Sequence, residues 1–97
     1  MSTARREAEL QRALTRYLDT YLARRDRAGT AALFSPTAFL VGTAVDEVAY
    51  DWADLQRIAD RDFDQVPDPI AYRVKASKVS LLSERFAQTL AELDLEL

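Results

Sequence analysis

Seven aromatic side chains recur at helical or strand spacing along this sequence and could line one apolar pocket. A buried phenol needs a hydrogen-bond partner, so a tyrosine in such a pocket can offer that bond to a ligand. The same spacing also suits ordinary core packing, and the pattern alone leaves the use of the pocket open. The pocket candidates are Tyr17, Tyr21, Phe34, Phe39, Trp52, Phe63 and Tyr72.

Three aspartates, Asp60, Asp62 and Asp64, have the spacing that opens a calcium-binding EF-hand loop. Such a loop also needs glycine at its sixth position and glutamate at its twelfth. Gln65 and Ala71 occupy those positions here. We therefore predict a solvated helix face rather than a calcium site, and we expect no metal.

One further group of acids could bind a cation or act as a general acid. Glu92, Asp94 and Glu96 project from one face of a predicted strand, and a basic strand opposite them explains them better as cross-strand partners. Asp46 and Glu47 follow the first predicted strand. We expect this pair near the entrance of the pocket, where it is either simply solvated or in contact with a ligand or partner.

Composition excludes several kinds of chemistry. The 97 residues contain no His and no Cys, which excludes disulfides, thiolate metal sites and catalytic schemes that depend on a histidine. A net charge of −3 is unfavourable for nucleic-acid binding. No apolar run is long enough for a membrane span and no signal peptide opens the chain, so we expect a cytoplasmic protein. We also expect that it uses no cofactor. The length suits a single domain over residues 1–97.

The first third of the chain predicts a long amphipathic helix over residues 4–25. Gly29 is expected to end it, and Thr30 to cap a second, short helix over 31–34. Apolar residues recur at steps of three and four along the first helix, which places them on one face. These residues are Leu10, Leu14, Tyr17, Leu18, Tyr21 and Leu22.

A third helix is predicted over residues 52–65. Asp51 stands at its N-cap and Asp54 three residues later, which is an acidic version of the capping box. Pro67 follows the helix and prevents its continuation. The predicted buried stripe consists of Trp52, Leu55, Ile58, Ala59, Phe63 and Val66.

Strands are predicted at 38–43 and 48–50, and a longer hairpin at 70–77 and 91–97. Apolar and charged residues alternate in both arms of the hairpin, and one register satisfies both faces. The turn is placed at residues 83–84, or in a loop over 82–85. The expected pairs are Arg73 with Asp94, Lys75 with Glu92, Val74 with Leu93, Tyr72 with Leu95 and Ile70 with Leu97.

This order of elements resembles the nuclear transport factor 2-like superfamily, which includes ketosteroid isomerase and SnoaL-like cyclases. The closest resemblance is to SnoaL-like domains found ahead of bacterial histidine kinases and diguanylate cyclases. Ala44 stands where that family usually has a second glycine. The segments that carry the resemblance are 42–47 with Tyr50, 55–63 running into 66–69, and 79–85 leading to 91–95.

The resemblance implies an α+β, cone-shaped fold in which N-terminal helices pack on a curved, mainly antiparallel sheet. Such domains normally continue with two more strands, so we expect a domain that is incomplete after Leu97. The resulting open edge, with Leu93, Leu95 and Leu97, invites strand pairing. We therefore expect a homodimer formed through the sheet.

The favoured functional interpretation is a non-catalytic ligand-binding or dimerising input domain of a bacterial signalling protein. One alternative is a SnoaL-like enzyme, an isomerase, cyclase or dehydratase acting on a small apolar substrate. The other is a purely structural dimerisation module. Tyr17 or Tyr21 could donate to an oxyanion, but no acid occupies a position that matches ketosteroid isomerase, so we assign no catalytic residue.

Overall fold

Helices pack on a long antiparallel β-hairpin, which makes the protein α+β, as the sequence predicts. The computed structural model describes residues 2–38, 40–41 and 48–96, with the backbone alone at 40 and 41. None of the helices in these ranges is long and apolar enough to cross a membrane. The elements are α1 (Thr3–Leu18), a π-helical segment (Asp19–Ala23), α2 (Arg27–Ala32), β1 (Leu40–Val41), β2 (Val48–Ala49), α3 (Trp52–Gln65), β3 (Ala71–Leu81) and β4 (Ala87–Glu96).

The long first helix is confirmed, with a wider turn at its C-terminal end. Ser2 caps it, since its hydroxyl accepts a hydrogen bond from the Arg5 amide at 3.2 Å. The helix continues through the π-helical segment, where the Arg24 amide donates to the Asp19 carbonyl at 2.8 Å. It ends at Arg25, whose φ of 47° lies in the left-handed region that terminates helices.

The expected roles of Gly29 and Thr30 at the second helix are wrong. Asp26 caps α2, and its carboxylate accepts from the Gly29 amide at 2.9 Å, so both residues lie inside the helix. A Cβ at Gly29 would lie 2.2 Å from an Asp26 carboxylate oxygen, so any larger residue there would displace the capping side chain. The aspartate at the chain reversal starts the helix four residues earlier than the sequence suggests.

The third helix agrees with its prediction at both ends. The Asp51 carboxylate accepts from the Asp54 amide at 2.9 Å, and the Asp54 carboxylate accepts from the Tyr50 amide at 3.3 Å. The first bond satisfies an amide that the first turn leaves unpaired, and the second holds the residue that precedes the N-cap. The expected apolar stripe faces inward, with its buried members at Leu55, Ile58 and Phe63.

The hairpin register is confirmed at its open end and wrong beyond Val74. Arg73 lies opposite Asp94 as expected, but a β-bulge at Lys75 places Ala76 rather than Lys75 opposite Glu92. Lys75 instead approaches Asp94, with 4.0 Å between its Nζ and the carboxylate. The loop spans residues 82–86, one more than the longer of the two expected turns.

The bulge has a cause that is readable in the sequence. Apolar residues of β3 occupy even positions at Tyr72 and Val74 and odd positions at Val79 and Leu81. A regular strand would place these two pairs on opposite faces of the sheet. One extra residue keeps both pairs on the face that meets the helices, while Lys75 stays exposed.

Two clusters of buried residues form most of the core in the part of the chain that the structure describes. Leu18 and Leu22 pack with Ile70, Tyr72 and Leu93, which confirms that the apolar side of the hairpin meets the first helix. The Ile70 amide also donates to the Leu22 carbonyl at 2.9 Å. The second cluster lies around α3 and contains Ala49, Leu55 and Ile58, with Phe34, Ala38 and Trp52 packed against it. Leu97, the expected partner of Ile70, lies outside the described residues.

Candidate functional site

A cavity of about 450 Å³ lies between the end of the first helix, α2 and α3. Its wall is largely apolar because tyrosines of the first helix, alanines of α2 and the apolar stripe of α3 line the same space. Five of the seven predicted pocket residues lie in this wall. They are Tyr17, Tyr21, Phe34, Trp52 and Phe63.

Four of these rings form a continuous row along the wall. Phe34 meets Tyr17 edge-on at 5.8 Å between centroids, and Tyr17 stacks on Tyr21 at 5.5 Å. Tyr21 meets the Phe63 ring edge-on at 5.8 Å. Offset stacking and edge-to-face contacts are the favourable geometries for aromatic pairs, so the rings hold one another in place.

Tyr72 does not line this cavity, which corrects the sequence-based grouping. It packs with Leu18, and its hydroxyl donates a hydrogen bond to the Asp19 carboxylate. Its residue type matches the others, but β3 places it beside Asp19, away from the cavity wall. Phe39, Asp46 and Glu47 lie outside the described residues.

Arg25 organises the groups behind the cavity. Its guanidinium donates to the Tyr21 carbonyl at 3.0 Å, to the Val66 carbonyl at 2.8 Å and to the Asp62 carboxylate at 3.2 Å. The Tyr21 hydroxyl donates to the same carboxylate oxygen at 2.7 Å. The guanidinium carbon also lies 4.4 Å from the centre of the Phe63 ring. The Arg25 side chain is 2% exposed, so these contacts replace its hydration.

We predicted that the three helix aspartates lie on a solvated face, and this prediction is wrong for Asp62. Its carboxylate accepts hydrogen bonds from Tyr21 and Arg25. Asp60 and Asp64 both bind Arg27, at 3.4 and 2.6 Å from its guanidinium nitrogens. Arg27, Asp60 and Asp62 line the cavity, so its charged lining groups are already paired. Among the described residues, no group of three or more acidic side chains is arranged to hold a metal ion.

Thr30 is a cavity residue that the sequence did not single out for binding. It lies in the cavity wall and is 4% exposed. Its hydroxyl has no hydrogen-bond partner within residues 2–38, 40–41 and 48–96. A buried polar atom without a partner is rare in proteins. A threonine among Ala and Gly residues gives no sequence signal for this burial, because only the packing of the helices creates it.

The pKa values of three tyrosines lie above the ordinary value. Burial raises the pKa of Tyr21, and the hydrogen bond to the Asp62 carboxylate raises it further. Burial, followed by the negative charge of Asp62, raises the pKa of Tyr17. Burial and the hydrogen bond to Asp19 raise the pKa of Tyr72 to about 12. These phenols therefore stay protonated as donors at neutral pH.

The free energy of unfolding is expected to decrease as the pH rises above about 10, the pKa of tyrosine in an unfolded chain. Between about 10 and 12 the unfolded chain releases tyrosine protons that the folded protein retains, so alkali favours unfolding. Each such tyrosine contributes a slope of up to about 1.4 kcal/mol per pH unit. Urea unfolding at a series of pH values measures the slope. Tyr72→Phe should make it shallower, and an unchanged slope in that variant would contradict the role of Tyr72.

These features define a small α+β domain whose helices enclose an apolar, aromatic cavity. The family of SnoaL-like domains matches residues 10–97. The chain therefore belongs to the SnoaL-like domain family, which is part of the nuclear transport factor 2-like superfamily. Comparisons with curated proteins and with solved structures find no match.

Proposed function

We propose that this protein is a non-catalytic domain that binds one small, mainly apolar molecule in the cavity between its helices. In this proposal it is the input domain of a bacterial cytoplasmic signalling protein. The observation that carries the binding proposal is the aromatic cavity of about 450 Å³. Sites for small molecules generally have volumes of about 300–1,000 Å³, mostly apolar walls and a few polar groups.

The hydrogen bonds at the cavity favour binding over catalysis. An isomerase, cyclase or dehydratase would need a phenol or carboxyl group directed at its substrate. The Tyr21 hydroxyl has one proton, and it donates that proton to Asp62. Asp62 also binds Arg25, so the Tyr21 phenol and the Asp62 carboxylate are both used within the fold. This arrangement supports a site that holds a ligand without transforming it.

Thermal unfolding with a panel of neutral ring compounds tests the proposal. A compound that binds only the folded protein, at 100 times its Kd, stabilises it by about 2.7 kcal/mol. For a domain of this size, that corresponds to an increase in Tm of roughly 10–20 °C. The compound should be recovered unchanged after long incubation with the protein. Conversion faster than in buffer would instead support the enzyme alternative.

Two alanines of α3 provide a matched pair of variants. Ala59 lines the cavity, whereas Ala53 is exposed on the same helix and lies outside the lining. Ala59→Leu should fill part of the cavity and weaken binding at least tenfold, and Ala53→Leu should leave binding unchanged. Equal affinity in both variants would show that the compound binds elsewhere, and no stabilisation by any compound would contradict the proposal.

We also propose that the domain forms a homodimer through the hairpin. The outer face of the hairpin includes Leu90, which is 72% exposed. The outer face carries basic residues on β3 and acidic residues on β4. When two outer faces pack around a two-fold axis parallel to the strands, the β3 of each copy lies against the β4 of the other. The charges of a second copy are therefore complementary to this face. Light scattering after size-exclusion chromatography measures the mass, and a monomer would contradict this proposal.

A further inference from the structure

We infer that a second binding site lies between the first helix and β4, and that it takes an aliphatic carboxylate. The site is a cavity of about 320 Å³ with a mostly apolar lining, called here the second cavity. It is separate from the cavity between the helices, so this inference does not depend on the proposed function. Two features carry it: solvent-exposed apolar surface in the wall and a single arginine beside that surface.

The apolar wall of the second cavity comes from three elements. Leu10, Leu14 and Tyr17 share one face of α1, because they recur at steps of three and four. Leu33 and Phe34 follow the end of α2, and the first residues of β4 lie across from them. Leu33 is 41% exposed, so part of this apolar wall is open to solvent. An aliphatic chain that covers it would remove apolar surface from water, which is favourable.

Tyr17 and Phe34 form the wall between the two cavities. Both residues line both cavities, and their rings meet edge-on at 5.8 Å between centroids. A molecule in one cavity is therefore divided from the other by this pair of rings. Binding at the two sites can be tested with different variants.

Arg16 is the single charged residue among the described residues that line the second cavity. It forms no ion pair within residues 2–38, 40–41 and 48–96. Asp19 has the helical spacing for such a pair, but its carboxylate accepts from the Tyr72 hydroxyl instead. A guanidinium group can bind a carboxylate through two parallel hydrogen bonds. A carboxylate on the ligand would supply the opposite charge to Arg16.

The first cavity is less suited to an anion. Its arginine, Arg27, already binds Asp60 and Asp64 at 3.4 and 2.6 Å. A carboxylate there would have to compete with both aspartates, whereas at Arg16 it competes with no acid in the lining. The anionic group is therefore expected in the second cavity.

The size of the second cavity favours a chain of medium length. About 320 Å³ lies near the lower end of the range for small-molecule sites, which is about 300–1,000 Å³. Arg16 is exposed, and exposed ion pairs contribute little to affinity. The chain therefore supplies most of the affinity, and the arginine selects the headgroup.

Octanoate and 1-octanol test the inference, because both have eight carbons and they differ in the charge of the headgroup. Titrations followed by NMR of the backbone amides give the location and the Kd. Octanoate should shift the amides of Leu33, Phe34 and Gln88 and bind about three- to fivefold more tightly than 1-octanol. The net charge of −3 opposes anion binding, so this preference would have to come from a local cation.

Two pairs of variants on α1 locate the site. Arg16→Gln should abolish the preference for octanoate, and Arg16→Lys should keep most of it. Arg12→Gln removes a charge one turn earlier, outside the lining, and should leave the preference unchanged. Ala13→Leu should fill part of the second cavity and weaken octanoate binding at least fivefold. Ala8→Leu, exposed on the same helix and outside the lining, should leave binding unchanged.

Four results would overturn the inference. If octanoate shifts none of these amides, or if Ala59→Leu weakens its binding as much as Ala13→Leu does, the second cavity is not its site. If Arg16→Gln keeps the preference, the arginine does not select the headgroup. If octanoate binding is lost as the protein concentration rises, a second copy of the chain covers this cavity. The test of the first cavity with ring compounds is unaffected by these results, so the proposed function stands or fails separately.

Discussion

Phe63→Ala is expected to lower the free energy of unfolding by about 3–5 kcal/mol. Phe63 is 4% exposed, and its ring contacts the Tyr21 ring and the Arg25 guanidinium. Its removal would enlarge a cavity that is already present and leave Arg25 without its closest aromatic neighbour. Domains of this size are generally stable by about 5–15 kcal/mol, so the variant should lose a large part of the total.

Phe86→Ala is the matched control for this substitution. Phe86 is 67% exposed in the hairpin loop, so the same change of residue type should cost less than about 0.5 kcal/mol. Urea unfolding followed by circular dichroism gives both values. Similar costs at the two positions would show that Phe63 is not a core residue and would remove it from the cavity wall.

The sequence predicts α3 and the row of aromatic residues well because their causes are local. Asp51 caps the helix through an amide three residues away, and Pro67 stops it soon after Gln65. The apolar residues between them recur with the helical period, so they share one face whatever they pack against. Five of the seven pocket candidates line one cavity for a similar reason, since they lie on helical stripes or beside one.

The incorrect predictions concern positions where distant groups decide the structure. Tyr72 lies on the expected face of its strand, but its neighbours depend on which side of the first helix receives the hairpin. Thr30 is buried because the surrounding helices pack over it, and its sequence neighbours do not indicate that burial. The bulge at Lys75 has a local cause, because the apolar residues of β3 change from even to odd positions in the sequence. The alternation of apolar and polar residues from Ala76 to Leu81 therefore indicates the extra residue.

Arg25→Met is expected to lower the free energy of unfolding by about 2–4 kcal/mol. Breaking a buried ion pair generally costs about 3–5 kcal/mol, and water reduces the cost here because the Asp62 side chain is 36% exposed. The substitution also leaves the carbonyls of Tyr21 and Val66 without the donors that join the end of the first helix to the end of α3. Methionine preserves much of the side-chain volume, so the loss reports the hydrogen bonds and the charge.

Three further variants show whether the whole network carries this effect. Arg57→Met removes an exposed arginine that is 3.9 Å from Asp54, and it should cost less than about 0.5 kcal/mol. Arg25→Lys keeps the charge without the planar set of donors, so it should lose most of what methionine loses. Adding Asp62→Asn to Arg25→Met should restore part of the stability, because the carboxylate no longer lacks its cation. If Arg25→Met costs no more than Arg57→Met, Arg25 does not hold the two helix ends together, and the cavity wall must be positioned by apolar packing alone.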